Sequence, residues 1–182
     1  MTRDEEEWSL LKLTAEWFLS KLIRRNIDLA PMAVTISPRG EVKGVMVQPA
    51  EGGGDVYEQL LAALRQAVTE GRYRGVAVCA LGSVTEPGAP GKTRAVIVDI
   101  EHQGLDPITW IWPFEKVGGD YCFGGRTGEG YIRAGTRRVF GTPGGGAEGD
   151  SPGPFGRLVE TIAVAPADLS RMKSLAAGRG NR

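Results

Sequence analysis

YRGVAVCALGSVTEPGAPGKTRAVIVDIEHQGLDPITWIWPF, residues 73 to 114, decides the fold, because it reads as three consecutive β-strands. Apolar and β-branched residues run from Tyr73 to Val84, from Thr93 to His102 and from Ile108 to Phe114. Between these runs stand Glu86-Pro87-Gly88-Ala89-Pro90-Gly91 and Gln103-Gly104-Leu105-Asp106-Pro107, both rich in turn formers. Connections this short join neighbouring strands, whereas a parallel pair needs a crossover of about a dozen residues. An antiparallel meander is therefore expected.

Upstream, Thr2 and Glu5 have capping-box spacing, and the acidic run from Asp4 to Glu7 suits the positive end of a helix dipole. A helix from Asp4 to Asn26 follows, with Arg24 and Arg25 at its negative end. Its apolar stripe Trp8, Leu11, Ala15, Phe18 and Leu22 is widened by Leu10, Trp17, Leu19 and Ile23 beyond one face, so it wants two partners. Met32 to Ser37 and Val42 to Gln48 flank Pro38-Arg39-Gly40 and form a β-hairpin. Asp55 and Glu58 repeat the capping signature, Tyr57, Leu60, Leu61, Leu64 and Val68 line one helical face, and Gly71 stops the second helix.

The order α-β-β-α-β-β-β gives an α+β fold, a single mainly antiparallel sheet of about five strands with helices packed on it. After Lys116 glycines interleave with Tyr121, Phe123 and Tyr131, where a last hairpin or extended edge fits. The expected organisation is a domain over residues 1–140, a flexible Gly/Pro-rich linker over 141–156, and a tail over 157–182 with an edge strand from Leu158 to Val164 and a short helix from Asp168 to Ala177.

The chain has 182 residues, long enough for one core, and 22 basic against 22 acidic side chains. It therefore lacks the basic footprint of a nucleic-acid binder. Two distant cysteines, Cys79 and Cys122, make neither a disulfide framework nor a zinc site. No apolar run is long enough to span a bilayer, and the acidic start is unlike a signal peptide, so the expectation is a cytoplasmic protein without cofactor.

Gly91-Lys92-Thr93 after a strand invites comparison with a phosphate-binding loop. Glu86 puts a carboxylate where phosphate would sit, Pro90 removes a backbone donor, and Val96-Ile97-Val98 continues as strand rather than helix, so a turn is expected. The glycines between Gly124 and Gly130 lack a following helix and read as a loop. His102 is the sole histidine, which excludes multi-histidine metal sites; it ends the apolar row Val96, Val98, Ile100. Were Cys79 close to it, a thiolate nucleophile would be conceivable. Asp99 and Glu101 share the opposite strand face, where two acids normally meet solvent but could bind a cation or share a proton, with Arg94 and Lys92 near to neutralise them. Arg126, Arg133, Arg137 and Arg138 make a locally basic region that could meet an acidic partner or a phosphate.

The segments Gly71 to Cys79, Val84 to Gly88, Gly91 to His102 and Trp112-Pro113-Phe114 resemble those of a family of small uncharacterised bacterial proteins: a strand, a proline-bearing turn ending in Lys-Thr, a strand ending in Glu-His, and an aromatic-Pro strand. The likeness runs from Pro31 to Phe140 and implies a bacterial domain of unknown function; the family has no established activity from which a catalytic role could be carried over onto Lys92, Thr93, Glu101 or His102, and the Gly/Pro tail departs from it. The element order also looks like that of roadblock, profilin and PAS-type folds, which serve as dimerising scaffolds, interaction modules and sensors.

With no catalytic constellation, the leading expectation is an interaction or scaffold domain that meets a protein partner or a second copy of itself. Trp8 and Trp17 on the first helix and Trp110, Trp112 and Phe114 on the last meander strand, its edge marked by Pro113, are the contact candidates. The second expectation is a small-molecule sensor with a pocket bordered by Tyr73, His102 and Trp110. The third is a hydrolase or transferase using Cys79 and His102.

Overall fold

The computed structural model describes residues 2–24, 29–52, 54–85, 90–123, 130–141 and 156–160, together with Asp168, Ser170, Arg171 and Ser174. The interior of the 141–156 linker, the centre of the Glu86–Gly91 turn, the end of the first helix at Arg25 and Asn26, Arg126, and most of the expected C-terminal helix lie outside the described residues.

Helix α1 spans Arg3–Arg24. Its capping box forms as the spacing predicts: the Thr2 N–H donates to Glu5 Oε2 at 2.6 Å, and the Glu5 N–H donates to Thr2 Oγ1 at 3.3 Å. Strands β1 (Met32–Ile36) and β2 (Val42–Gln48) form the expected hairpin, with Ala33 opposite Val45. Helix α2 (Val56–Thr69) is capped by Asp55, whose side chain accepts from the Tyr57 N–H at 2.8 Å, and the chain leaves it through Gly71 at φ +72°. No helix among the described residues is long and apolar enough to cross a membrane.

Strands β3 (Gly75–Val84), β4 (Thr93–His102) and β5 (Leu105–Val117) make the meander. Thr93 opens β4, so Gly91-Lys92-Thr93 leads into a strand and not into the helix a phosphate loop requires. β5 begins earlier than its apolar run suggests, because Gln103-Gly104 alone turns the chain and His102 pairs with Leu105. Between the pairs Ile100–Ile108 and His102–Leu105, β5 carries one extra residue, a bulge opposite Glu101.

The sheet is larger than the five strands expected. β6 (Asp120–Phe123), β7 (Tyr131–Ala134) and β8 (Arg157–Glu160) join it, giving the order β6-β5-β4-β3-β1-β2-β8 with β7 also on β5. All the pairings are antiparallel. Short runs of only four residues carry too little periodicity to announce themselves; they complete ladders that longer strands template. β8 is the edge strand expected near Leu158, so this part of the tail belongs to the domain sheet. β5 is consequently no edge: β7 pairs with Ile108 to Ile111 and β6 with Phe114 to Val117. Pro113, which has no N–H to donate, falls between the two pairings.

The helices take opposite faces. α1 lies over β1, β3 and β4, where Leu11, Ala15, Phe18 and Leu19 meet Val34, Ile36, Cys79, Val98, Ile100 and Trp110. α2 lies over β2 and β8, where Leu60, Leu61 and Leu64 meet Ala33, Val45, Val47, Val76 and Val78, joined by Val139 and Phe140 from the chain after β7. α2 sits towards one side of its face, over β2 and β8, so among the described residues part of the sheet over β3, β4 and β7 has no helix above it.

Candidate functional site

The register separates the two candidate catalytic residues. Cys79 pairs with Val98 and His102 with Gly75, so they stand four residues apart along the ladder, roughly 13 Å at the strand rise. Cys79 is buried under α1, and burial, followed by the charge of Asp99, pushes its thiol up to about 12. Such a thiol supplies no nucleophile at neutral pH, and the Cys79–His102 pairing is not formed.

His102 is fully buried and holds down the start of α1. Its Nδ1 accepts the Gly104 N–H at 3.1 Å, which leaves the proton on Nε2 to be donated to Glu7 Oε2 at 2.9 Å. Glu7 also receives Arg3 Nε at 2.7 Å and Arg74 Nε at 2.9 Å, and Arg74 Nη2 reaches Asp4 Oδ1 at 2.7 Å. Burial acts to raise the Glu7 pKa, but hydrogen bonds from His102, Arg3 and Arg74 outweigh it and hold the carboxyl below the usual range. Asp4, Glu7 and His102 bring ligand atoms within 4.8 Å of one another, a grouping compatible with a cation. Both carboxylates are already neutralised by guanidinium groups, and both imidazole nitrogens are engaged. The cluster is a latch that docks α1.

The aromatic candidates are mostly interior. Phe114 and Trp110 are buried in the α1 core, and Trp8, Trp17 and Trp112 are partly buried against it. The Trp110 and Trp112 rings stack at 5.5 Å, with the Lys12 ammonium over Trp110, and Lys21 covers Trp17 at 3.9 Å. Tyr73 packs with the α2 core, on the other side of the sheet from His102 and Trp110, so these three do not border a common pocket. Period-two alternation places His102 and Trp110 on one face, but Tyr73 precedes β3 and its side was not fixed by that alternation.

A different group is brought together on the α2 face. The register sets Val78, Asp99, Thr109 and Arg133 in one row across β3, β4, β5 and β7, with Ala80, Ile97, Ile111 and Tyr131 in the row beside it. Above these rows, where α2 stops covering the sheet, lies a cleft of about 460 Å3. Val78, Ala80, Ile97 and Asp99 of the sheet are at its floor, with Asp55 and Tyr57 from the start of α2 and Arg133 and Arg138 lining it around them.

Asp99 is 8% exposed. Its Oδ1 accepts the Thr109 hydroxyl at 2.5 Å, and among the described residues Oδ2 has no partner. Beside the cleft Arg138 Nη1 donates to the Tyr57 hydroxyl at 3.1 Å, so these two side chains stand together. Burial and the Asp99 charge raise the Tyr57 pKa, so the phenol stays protonated and can donate. Arg138 is positioned from behind: Glu101, 1% exposed, accepts the backbone N–H groups of Arg138, Val139 and Phe140 at 2.7 to 3.1 Å and pins that segment to the sheet.

Asp99 and Glu101 do share a face, as their spacing requires, but neither lies against solvent: one floors a cleft and the other staples a loop. Neither Arg94 nor Lys92 neutralises them; Arg94 lies over the Phe114 ring. Of the basic residues noted in the sequence, Arg133 and Arg138 converge on the cleft while Arg137 donates to the backbone carbonyls of His102 and Leu105. Tyr57 was legible only as part of a helical face. Comparison of the chain with protein-family models, with curated proteins and with solved structures found no match to any.

Proposed function

We propose that this chain is a binding domain that holds a small polar organic molecule, without covalent chemistry, in the cleft above Asp99. One observation carries the reading: a carboxylate almost wholly removed from water, with one oxygen satisfied and the other left over, forms the floor of a concave, partly apolar site. A ligand donor placed on Oδ2 makes a charge-assisted hydrogen bond, roughly twice as strong as a neutral one, at a carboxylate shielded from bulk solvent. The volume lies within the range of about 300–1,000 Å3 typical of small-molecule sites, and an apolar floor with a few convergent polar groups is their usual construction. Self-association through the Trp110 to Phe114 strand has less support, because that strand is paired on both sides.

Thermal-shift screening with a metabolite library, on the wild type and on Asp99→Asn, tests the proposal. Ligands that bind only the native state raise the melting temperature, by about 2.7 kcal/mol of added stability at a hundredfold excess over Kd. Compounds are expected that shift the wild type and lose that effect in Asp99→Asn. A flat response of the wild type, or a shift that survives the substitution undiminished, overturns it.

A further inference from the structure

We infer that the ligand of this cleft is a zwitterion of amino-acid type, with a protonated amine for Asp99, a carboxylate for Arg133 and Arg138, and an apolar side chain for the floor. This rests on the cleft being the binding site and adds the ligand's chemical class.

Among the described residues, the charges that face the cleft are two of each sign, Asp55 and Asp99 against Arg133 and Arg138. The two acids are not equivalent. Asp55 is exposed and spends an oxygen on the Tyr57 N–H as the cap of α2, whereas Asp99 is buried and keeps Oδ2 for a visitor. Among the described residues no ion pair joins Asp99 to either arginine, although Arg133 lies only one strand further along the same row than Thr109. Opposite charges thus stand across the cleft without neutralising each other directly.

Each simpler ligand leaves something unmet. A monoamine would satisfy Asp99 but leave its body facing two guanidinium groups. A monocarboxylate would be welcomed by the arginines, which hold carboxylates well through their forked donors, but would approach the Asp99 charge. A molecule with both groups reaches charges of both signs and enters as a neutral whole, so neither end is buried without a counterpart. Val78, Ala80 and Ile97 offer only apolar contact, which favours a hydrocarbon or aromatic side chain over a polar one.

Calorimetric titration of the full chain with free L-amino acids, at matched pH and ionic strength, tests the inference. L-leucine and L-phenylalanine are compared with 3-methylbutylamine and phenethylamine, which lack the carboxylate, and with 4-methylpentanoate and 3-phenylpropionate, which lack the amine. At least one of the two amino acids should bind, and removal of either charged group should weaken it by roughly tenfold to a hundredfold, the worth of one charge-assisted hydrogen bond. Arg133→Ala, a change at an exposed side chain, should abolish the preference for the amino acid over its amine while leaving the amine's own affinity in place; Asp99→Asn should do the converse. Binding of an amine, a carboxylate or an uncharged library compound in an Asp99-dependent way, without preference for the zwitterion, overturns the inference and leaves the cleft reading standing. If no compound of either set binds, both fall.

Discussion

Glu101 offers the sharpest test of how the cleft is built. Its carboxylate is buried beneath the segment after β7 and accepts three backbone N–H groups, those of Arg138 and Val139 on Oε1 and of Val139 and Phe140 on Oε2. Glu101→Gln preserves shape and one oxygen, so Arg138 and Val139 can keep an acceptor, while the new amide turns its own donors towards the Phe140 N–H. One charge-assisted bond is lost and a buried donor is left unmet, which should cost roughly 2–3 kcal/mol. Glu101→Ala removes every acceptor and loosens Val139 and Phe140 from the α2 core; roughly 3–5 kcal/mol is expected. Equilibrium urea unfolding measures both, and hydrogen exchange locates the effect, with the amides of Arg138 to Phe140 losing protection in Glu101→Gln before the rest of the sheet does. A Glu101→Gln variant within about 0.5 kcal/mol of the wild type would refute the staple, since that is the range of an ordinary surface change.

Other consequences follow from the latch and the core. Gly75→Ala places a Cβ 2.7 Å from Leu11 Cδ1 and 2.9 Å from His102 Cδ2, so overpacking beneath α1 should lower stability by roughly 1–3 kcal/mol in urea unfolding. Iodoacetamide should label exposed Cys122 in the native protein and both cysteines only after denaturation, as mass spectrometry of the intact chain would read; rapid native labelling of Cys79 would contradict its burial and raised pKa. Glu7 has its pKa lowered from 4.5 in the folded state, so its contribution to stability is fully present above that value and is lost as pH falls through the folded pKa. The melting-temperature gap between wild type and Glu7→Gln should therefore be full at pH 7 and close in acid; a gap independent of pH would count against the latch.

The elements that sequence discloses here are those with local signals. Thr2, Glu5, Asp55 and Gly71 fix the helix ends through caps that form between residues a few positions apart, and the Pro38-Arg39-Gly40 turn dictates the first hairpin. Alternation also put Asp99 and Glu101 on one face correctly. What alternation cannot tell is what lies above a face, and here that depends on contacts between distant segments: Val139 and Phe140 arrive over the sheet from 38 and 39 positions away, held by Glu101. The same long range explains the misread aromatics. Trp110 to Phe114 look like an exposed edge until β6 and β7, four residues each, claim both halves of β5. Tyr57 illustrates a further blind spot, since a tyrosine at a helix start has the same pattern whether its hydroxyl meets water or an arginine.

The most direct test is a nitrogen-15 correlation spectrum of the full chain with and without an equimolar mixture of the common L-amino acids at matched pH and ionic strength. The account of the cleft as an amino-acid site predicts shifts concentrated at the amides of Tyr57, Val78, Asp99, Thr109, Arg133 and Arg138, with α1 silent. A spectrum unchanged by the mixture would contradict the amino-acid ligand, and changes gathered along α1 and the latch around His102 would contradict the cleft itself.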